Sequence, residues 1–271
     1  MIIRTRDEIS GVLMYNRSFI VYGTSGFSTY DQTGNLYERG MHDIVIQNIL
    51  QNSKHLAVVS KERVFIIEKI TKYQKDIEKE NLDYVVLTEN RLLIIKSNAI
   101  QLYSVLDCKV QNSIESNDGL CVDHVFYNDI LFLAFENGCV KTYEEGELTI
   151  LKIFLEVNKM ITSFDKNQYW TIIGTFCKFL IKFNDQGHLI KQTVLENHPI
   201  KIRIWNENIF ILDSENNFIK LNSELELIHC RNYGGILKTF NVVDNEIVII
   251  YTTGTVFIGN ELPQIGHSKV N

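Results

Sequence analysis

A repeat of 36 to 40 residues is the feature of this sequence that most restricts its possible folds. Short runs that alternate apolar and polar residues, such as CVKTYE at 139–144, recur seven times along the chain. Their next-to-last positions are spaced 37, 36, 40, 40, 38 and 38 residues apart; they are Tyr30, Ile67, Tyr103, Tyr143, Phe183, Leu221 and Gly259. Spacing this regular indicates a repeat architecture in which each unit packs on its neighbours.

Each repeat has the composition expected of four antiparallel strands. A dense apolar segment precedes every run, for example ILFLAF at 130–135, and such segments are typical of strands buried on both faces. Turn formers such as Asn137-Gly138 and Thr253-Gly254 separate the two strands. Another short strand lies upstream and a more polar one downstream. We therefore predict an all-β, seven-bladed β-propeller with four strands per blade.

The two ends of the sequence complement each other. The segment ELPQIGHSKVN at 261–271 is a poor fourth strand for the last blade, while residues 1–5 have no place in the first blade. We therefore predict that residues 1–5 form the outer strand of the last blade and close the ring. The propeller is expected to span 1–263, with 264–271 as a tail. The charged segment 68–81 is compatible with either an outer strand or a short helix.

Composition restricts the classes of partner. The chain has 33 Asp and Glu against 27 Lys and Arg, and its lysines are dispersed, so we expect no direct binding of nucleic acid. No run of 18 apolar residues and no apolar signal segment occur, so no membrane contact and an intracellular location, cytoplasmic or nuclear, are expected. Five cysteines without a C-x-x-C motif favour reduced, mostly buried thiols over disulfides or zinc.

No sequence motif indicates catalysis. The seven histidines fall on different predicted blades without a partner at metal-binding spacing, and the nucleotide-binding and hydrolase motifs are missing. We therefore predict no catalytic, cofactor or metal site and no enzyme activity. One pair, Asp123-His124, lies on a predicted inner strand, where a hydrolase could use it, but a structural role is preferred. The inner strands otherwise read as largely apolar.

The repeat resembles the WD-repeat propellers. Its third strand ends in an aromatic-polar pair, and Tyr30-Asp31 and Tyr143-Glu144 come nearest to the Trp-Asp pair that names that family. The Trp-Asp pair itself does not occur, and the only Gly-His pair, Gly266-His267, lies in the predicted tail. The resemblance implies a rigid scaffold that displays loops to protein partners, usually within a larger assembly.

We therefore expect a non-catalytic scaffold or adaptor subunit, a monomeric ring within a hetero-complex. A non-catalytic subunit of an RNA-modifying enzyme and a hydrolase that uses the channel are the alternatives. The loops between successive blades share one end of a propeller and together carry negative charge. This loop face is expected to bind a basic or mixed-charge protein surface through Glu80, Glu115, Asp118, Glu156 and Glu196, with Tyr233 as an aromatic anchor.

Overall fold

The protein is built entirely from strands over the part of the chain that the structure describes. The computed structural model describes residues 1–5, 7–15, 17–80, 83–144, 152–233, 237–243 and 246–259, and these residues form 28 strands in seven four-stranded antiparallel sheets. The seven sheets are the blades of a seven-bladed β-propeller, as predicted. The chain divides into two compact units, one of residues 48–233 and one of residues 1–47 with 234–271.

The larger unit carries blades 2 to 6, apart from the first two residues of β6. Their strands are β6 (Ile46–Gln51), β7 (His55–Ser60), β8 (Arg63–Glu68) and β9 (Gln74–Glu78); β10 (Tyr84–Leu87), β11 (Arg91–Ile95), β12 (Ala99–Ser104) and β13 (Val110–Glu115); β14 (Cys121–Tyr127), β15 (Ile130–Phe135), β16 (Cys139–Glu144) and β17 (Lys152–Glu156); β18 (Ile161–Lys166), β19 (Trp170–Thr175), β20 (Phe179–Asn184) and β21 (Leu189–Val194); β22 (Pro199–Trp205), β23 (Asn208–Asp213), β24 (Asn217–Leu221) and β25 (Leu227–Asn232).

The smaller unit carries blades 1 and 7. Blade 1 has β2 (Ile9–Tyr15), β3 (Ser18–Gly23), β4 (Gly26–Tyr30) and β5 (Leu36–Gly40). Blade 7 has β26 (Leu237–Val243), β27 (Glu246–Tyr251), β28 (Thr255–Gly259) and, as its outer strand, β1 (Ile2–Arg4).

The N-terminal strand closes the ring, as predicted. β1 runs antiparallel to β28, with Ile3 opposite Val256. Ile3 is buried while Ile2 is exposed, which is the alternation of a strand with one face on a core. The Thr5 N–H extends the pairing by donating to Gly254 O at 2.9 Å. The predicted tail, 264–271, lies outside the described residues.

The ambiguous segment 68–81 contains a strand, and its described residues, 68–80, form no helix. β8 ends at Glu68, a turn follows, and β9 pairs with β8 from Gln74 to Glu78. Ile77 is the buried member of β9, and its neighbours Asp76 and Glu78 are exposed. A single buried apolar position between charged residues suits an outer strand, so the charge density that also suggested a helix reflects solvent exposure.

Burial along each blade explains the composition of its strands. The second strands are the most deeply buried; Leu131, Leu133 and Phe135 of β15 are inaccessible to solvent. They pack between blades, where Leu131 and Leu133 share a cluster with Leu93 and Leu102 of the preceding blade. The outer strands face solvent on most positions, as β21 does. The dense and the polar segments of each repeat therefore follow from position in the blade.

The hairpin between the second and third strands of blade 4 requires glycine. Gly138 has a φ of +96°, and a Cβ at this position would lie 2.0 Å from Val157 O. Only a residue without a side chain adopts this conformation so close to the next loop. The turn therefore brings the hairpin and the blade-to-blade loop together at one end of the blade.

The cysteines are less buried than predicted. Cys121 and Cys139 are buried and Cys108 is half-buried, but Cys177 and Cys230 are exposed. Cys177 lies in a hairpin turn and Cys230 on an outer strand, and both elements expose part of their surface to solvent. The expectation of mostly buried thiols is wrong for these two residues.

Candidate functional site

Within residues 48–233, the blade-to-blade loops and the turns between second and third strands lie at the same end of each blade. This follows from the order of four antiparallel strands, and we call this end the loop face. Four of the six predicted partner-binding residues are exposed near it: Glu80 in a loop, Glu115 and Glu156 at the ends of outer strands, and Glu196 in a loop. Lys96 Nζ lies 3.9 Å from the Glu80 carboxylate. These acidic side chains are available to a partner.

Asp118 lies on the same face but is buried. Its carboxylate accepts hydrogen bonds from Lys141 Nζ and Ser116 Oγ, both at 2.6 Å, and from Asn137 Nδ2 at 3.3 Å. Burial alone would raise the pKa of Asp118, but the hydrogen bonds from Lys141 and Ser116 lower it. Asp118 therefore joins its loop to blade 4, and its oxygens are occupied within the protein.

Tyr233 is also buried, with 7% of its surface exposed. Its ring meets Phe218 edge-on at 6.5 Å, and the Arg231 guanidinium lies 5.3 Å from the ring centre. The ring therefore packs against blade 6 and does not project from the loop face. Tyr233→Ala would remove this packing, so it is expected to reduce stability and not only to speed the dissociation of a partner.

An exposed apolar pair occupies the loop face at blade 5. Phe176, in the hairpin turn, is 56% exposed, and Met160, in the preceding loop, is 47% exposed. The Phe176 N–H donates to Met160 O at 2.9 Å, which holds the two segments together. The His198 ring lies 5.0 Å from the Phe176 ring. The sequence analysis missed this pair; its only signal was an aromatic residue, Phe176, where the other blades have polar or glycine-rich turns.

The inner strands of blades 3 to 6 bring together six polar side chains that we call the inner-strand cluster. They are Tyr84, Asp123, His124, Asp165, Lys201 and Arg203. The expectation that the inner strands are largely apolar is wrong here. The signal was present as two ionisable residues in each of VDHV, SFDK and KIRI. It becomes clear only when the strands of different blades are placed side by side.

An ion pair that joins two blades is the centre of this cluster. Arg203 Nη1 of β22 lies 3.1 Å from Asp123 Oδ2 of β14, across the inner strand of blade 5. The same Arg203 nitrogen donates to Ile202 O at 2.6 Å and to Phe164 O at 3.4 Å. Burial would lower the pKa of Arg203, but the carboxylates of Asp123 and Asp165 raise it. Arg203 therefore stays charged, and its ion pair with Asp123 binds blade 6 to blade 4.

Asp165 and Lys201 are the titratable members of the cluster near neutral pH. Burial raises the pKa of Asp165 to about 6, against the effect of Arg203. The Asp165 carboxylate accepts the Ile204 and Lys166 N–H groups, at 2.5 Å and 3.0 Å. Burial, assisted by Arg203, lowers the pKa of Lys201 to about 7. In both groups, burial disfavours the charged form of the side chain.

Asp123 and His124 do not form a catalytic pair in this arrangement. The Asp123 carboxylate contacts Arg203 and the His124 backbone N–H, which donates to it at 3.0 Å. The His124 ring is engaged elsewhere, since its Nδ1 lies 2.9 Å from Tyr84 Oη. Burial lowers the pKa of His124 to about 4 and raises the pKa of the neighbouring Cys121 thiol. This geometry favours a structural role for Asp123 and His124.

The described part of the chain holds neither a cluster of metal-ligating residues nor a membrane-spanning helix. No group of three or more His, Cys, Asp or Glu residues there is placed to hold a metal ion. Over the same residues, no helix has the length and apolar character needed to cross a membrane.

Comparisons with known proteins show the fold. No family model and no curated protein matches this sequence. The crystal structure of the C-terminal WD40 domain of Sif2 matches with a TM-score of 0.74 at 12% identity, over 94% of this chain and 81% of that domain. The fold is that of a WD40-like propeller. The computationally designed protein Ika8 matches with a TM-score of 0.70 at 10% identity, over 94% of this chain and 97% of its own. At these identities the likeness extends to the fold alone.

Proposed function

We propose that this WD40-like propeller is a non-catalytic scaffold or adaptor subunit of an intracellular complex, whose loop face binds a partner protein. The observation that carries this proposal is the exposed pair Met160 and Phe176, which lies on the same face as Glu80, Glu115, Glu156 and Glu196. An exposed aromatic residue and a methionine on a face that also carries exposed carboxylates have the composition of a protein-binding surface.

The two parts of the loop face have different roles in this proposal. Phe176, with its ring 5.0 Å from that of His198, presents an apolar surface that a partner can bury. Burial of an aromatic side chain slows dissociation, whereas exposed carboxylates mainly speed association with a basic or mixed-charge surface. The contacts of Asp123 and His124 support the non-catalytic part of the proposal.

The experiment starts from capture of partners by the full chain, identified by mass spectrometry. The affinity of the purified partner is then measured for wild type, Phe176→Asp and the control Leu227→Asp. Leu227 is 64% exposed on the outer strand of blade 6, so its change alters an apolar surface away from the loop face. Phe176→Asp is expected to weaken binding about 10- to 30-fold. A partner that loses affinity only with Leu227→Asp would refute the proposed face.

A further inference from the structure

The outer strand of blade 5, β21, has an open hydrogen-bonding edge. It is the last strand of its sheet and pairs with β20 on one side. The Leu195 N–H, just after the strand, donates to Lys178 O at 2.8 Å. Because successive residues of an antiparallel strand direct their backbone groups to alternate sides, Thr193 faces β20, while the N–H and C=O groups of Gln192 and Val194 point outwards. No described residue bonds to these outward groups, so the edge is open to a further strand.

The side chains along this edge are apolar at both ends of the strand. Leu189 is 60% exposed, Ile190 is 53% exposed and Val194 is 63% exposed. Lys191 is the only charged residue of β21, and its Nζ donates to Glu224 O of blade 6 at 2.6 Å, so the ammonium group is held against the next blade. Edge strands are usually protected from further pairing by charged residues or proline. β21 has little of this protection, and its register with β20 is regular from Lys191 to Val194.

The outer strands of blades 2 and 3 are better protected. In β13, the Ser116 N–H donates to Asn98 O, so the same alternation directs the Ser113 N–H outwards. This N–H already donates to the side chain of Asn112 at 2.8 Å. In β9, three of the five residues are charged. The open apolar edge is therefore a feature of blade 5 that these two blades do not share.

The open edge leads directly to the apolar pair of the loop face. β21 ends at Val194, and the next residue, Leu195, bonds to the hairpin turn that carries Phe176. The loop that follows places the His198 ring 5.0 Å from the Phe176 ring. Met160 O accepts the Phe176 N–H in turn. The edge of β21 and the apolar pair thus form one continuous surface on blade 5.

We propose that the partner of the loop face adds an extended segment to β21 as a fifth strand of blade 5. This inference rests on the proposed function, because the segment continues from the residues that cover Phe176 and Met160. A strand is the occupant that the edge requires, since an extended backbone supplies donors and acceptors at the spacing of Gln192 and Val194. The favoured cross-strand pairs place an apolar, β-branched residue of the segment opposite Val194 and a polar residue opposite Gln192.

The experiment uses an end-capped fluorescent peptide, Lys-Thr-Val-Thr-Val-Thr-Lys, and the same peptide with methylated backbone nitrogens, which cannot donate. Binding to the full chain is followed by fluorescence anisotropy and by amide hydrogen exchange. We expect the unmodified peptide to bind saturably below about 1 mM and the methylated one to bind at least roughly fivefold more weakly, because it loses hydrogen bonds. At saturation, exchange at Gln192 and Val194 should slow about tenfold. No saturable binding, equal binding of the two peptides, or unchanged exchange at both residues would overturn the proposal.

Three variants locate the added strand. Gln192→Pro removes an outward N–H without removing a bond to β20, and Val194→Lys places a charge on the edge while keeping the backbone groups. Each should weaken peptide binding at least roughly fivefold. Ser113→Pro, the matched change on blade 3, should leave binding unchanged, because Asn112 already occupies that edge. If both edge variants bind the peptide as the wild type does, or if Ser113→Pro weakens binding equally, β21 is not the site.

The purified partner separates this inference from the proposed function. We expect its affinity to fall about tenfold with Gln192→Pro, as it falls with Phe176→Asp. If only Phe176→Asp weakens binding, the partner uses the loop face and adds no strand, so this inference fails alone. If only Gln192→Pro weakens binding, a strand adds to β21 and the proposed contact at Phe176 is wrong.

Discussion

The charged residues of the inner-strand cluster and those of the loop face differ in what they contact. Asp123 and Arg203 are mostly buried and are bonded to each other and to backbone groups. Glu115 and Glu196 are exposed. A buried charge must be paired, because an unpaired one costs several kcal/mol, whereas exposed charges contribute little to stability. The buried, paired residues of the inner-strand cluster therefore hold the blades together, whereas the exposed acidic residues of the loop face are available to a partner.

The same difference occurs within one loop. Glu115 and Asp118 are three residues apart and were predicted to act together as exposed acids. Asp118 turns inwards to Lys141, Ser116 and Asn137, while Glu115 stays exposed at the end of β13. Whether an acidic residue stabilises the fold or is available to a partner thus depends on its contacts with the next blade. The sequence of a single repeat does not contain those contacts.

The largest expected effect is at the centre of the inner-strand cluster. Asp123→Ala leaves the Arg203 guanidinium buried without its carboxylate, so we expect the free energy of unfolding to fall by about 3–5 kcal/mol. Urea denaturation at pH 7 measures it. The double variant Asp123→Leu with Arg203→Met removes both charges and should recover part of the loss. If Asp123→Ala lowers the free energy of unfolding by less than about 1 kcal/mol, the inner-strand cluster does not differ from the loop face in its contribution to stability.

A smaller effect is expected for the buried acid of the loop. Asp118→Ala removes the acceptor of Lys141 and Ser116 and should lower the free energy of unfolding by about 1–3 kcal/mol. The matched control Glu115→Ala should change it by less than about 0.5 kcal/mol, since the side chain is exposed. Equal effects of the two variants, measured by the same denaturation, would contradict the distinction between Asp118 and Glu115.

Much of the fold could be predicted from the sequence because the blades repeat. The strand order, the seven copies and the closure by residues 1–5 all follow from periodicity, and β1 pairs with β28 as expected. The helix alternative for 68–81 arose because an exposed outer strand and a helix can have the same charge density. Periodicity thus predicts the elements well where one face is buried and less well at an exposed edge.

The candidate sites were less predictable because they depend on contacts between blades. Asp123 contacts Arg203, which lies 80 positions further along the sequence. No local sequence pattern predicts that these two residues meet. Tyr233 looked like an exposed anchor in a loop, yet it packs on Phe218. Phe176 and Met160 were not predicted, since an isolated aromatic residue in a turn resembles a core residue until its exposure is known.

The third prediction concerns the pH dependence of the cluster. The folded-state pKa of Lys201 is about 7, below its ordinary value of 10.5, so the unfolded chain binds more protons between these values. Stability of the wild type relative to Lys201→Met should therefore rise from pH 7 towards pH 10, by at most about 1.4 kcal/mol per pH unit. Denaturation at pH 6 to 10 measures this difference. A difference that stays constant from pH 7 to pH 9 would show that Lys201 is not held in the buried environment described.

Asp165 should give the opposite slope at lower pH. Its pKa of about 6 lies above its ordinary value of 3.8, so the folded protein holds the extra proton between pH 4 and 6. The contribution of Asp165 to stability is therefore present below pH 4 and is lost as the pH rises to 6.

The smallest expected change in stability is on the loop face, where binding and not folding should respond. Glu115→Lys should alter the free energy of unfolding by less than about 0.5 kcal/mol, because the side chain is exposed. It should slow association with a basic partner and flatten the dependence of that rate on salt, since exposed charges steer the approach of a partner. Stopped-flow or surface-plasmon measurements between low and physiological salt give both quantities.

The matched control is Asp185→Lys, which makes the same charge change in the turn of blade 5 at the opposite end of the blades. If both reversals slow association equally, the effect comes from net charge and the loop face has no special part in steering. If only Glu115→Lys slows association, and Phe176→Asp mainly speeds dissociation, then both features of the loop face contribute to recognition. The exposed charges set the association rate, and the apolar contact sets the dissociation rate. In that outcome a charge change on the loop face alters binding, whereas removal of a carboxylate from the inner-strand cluster alters stability.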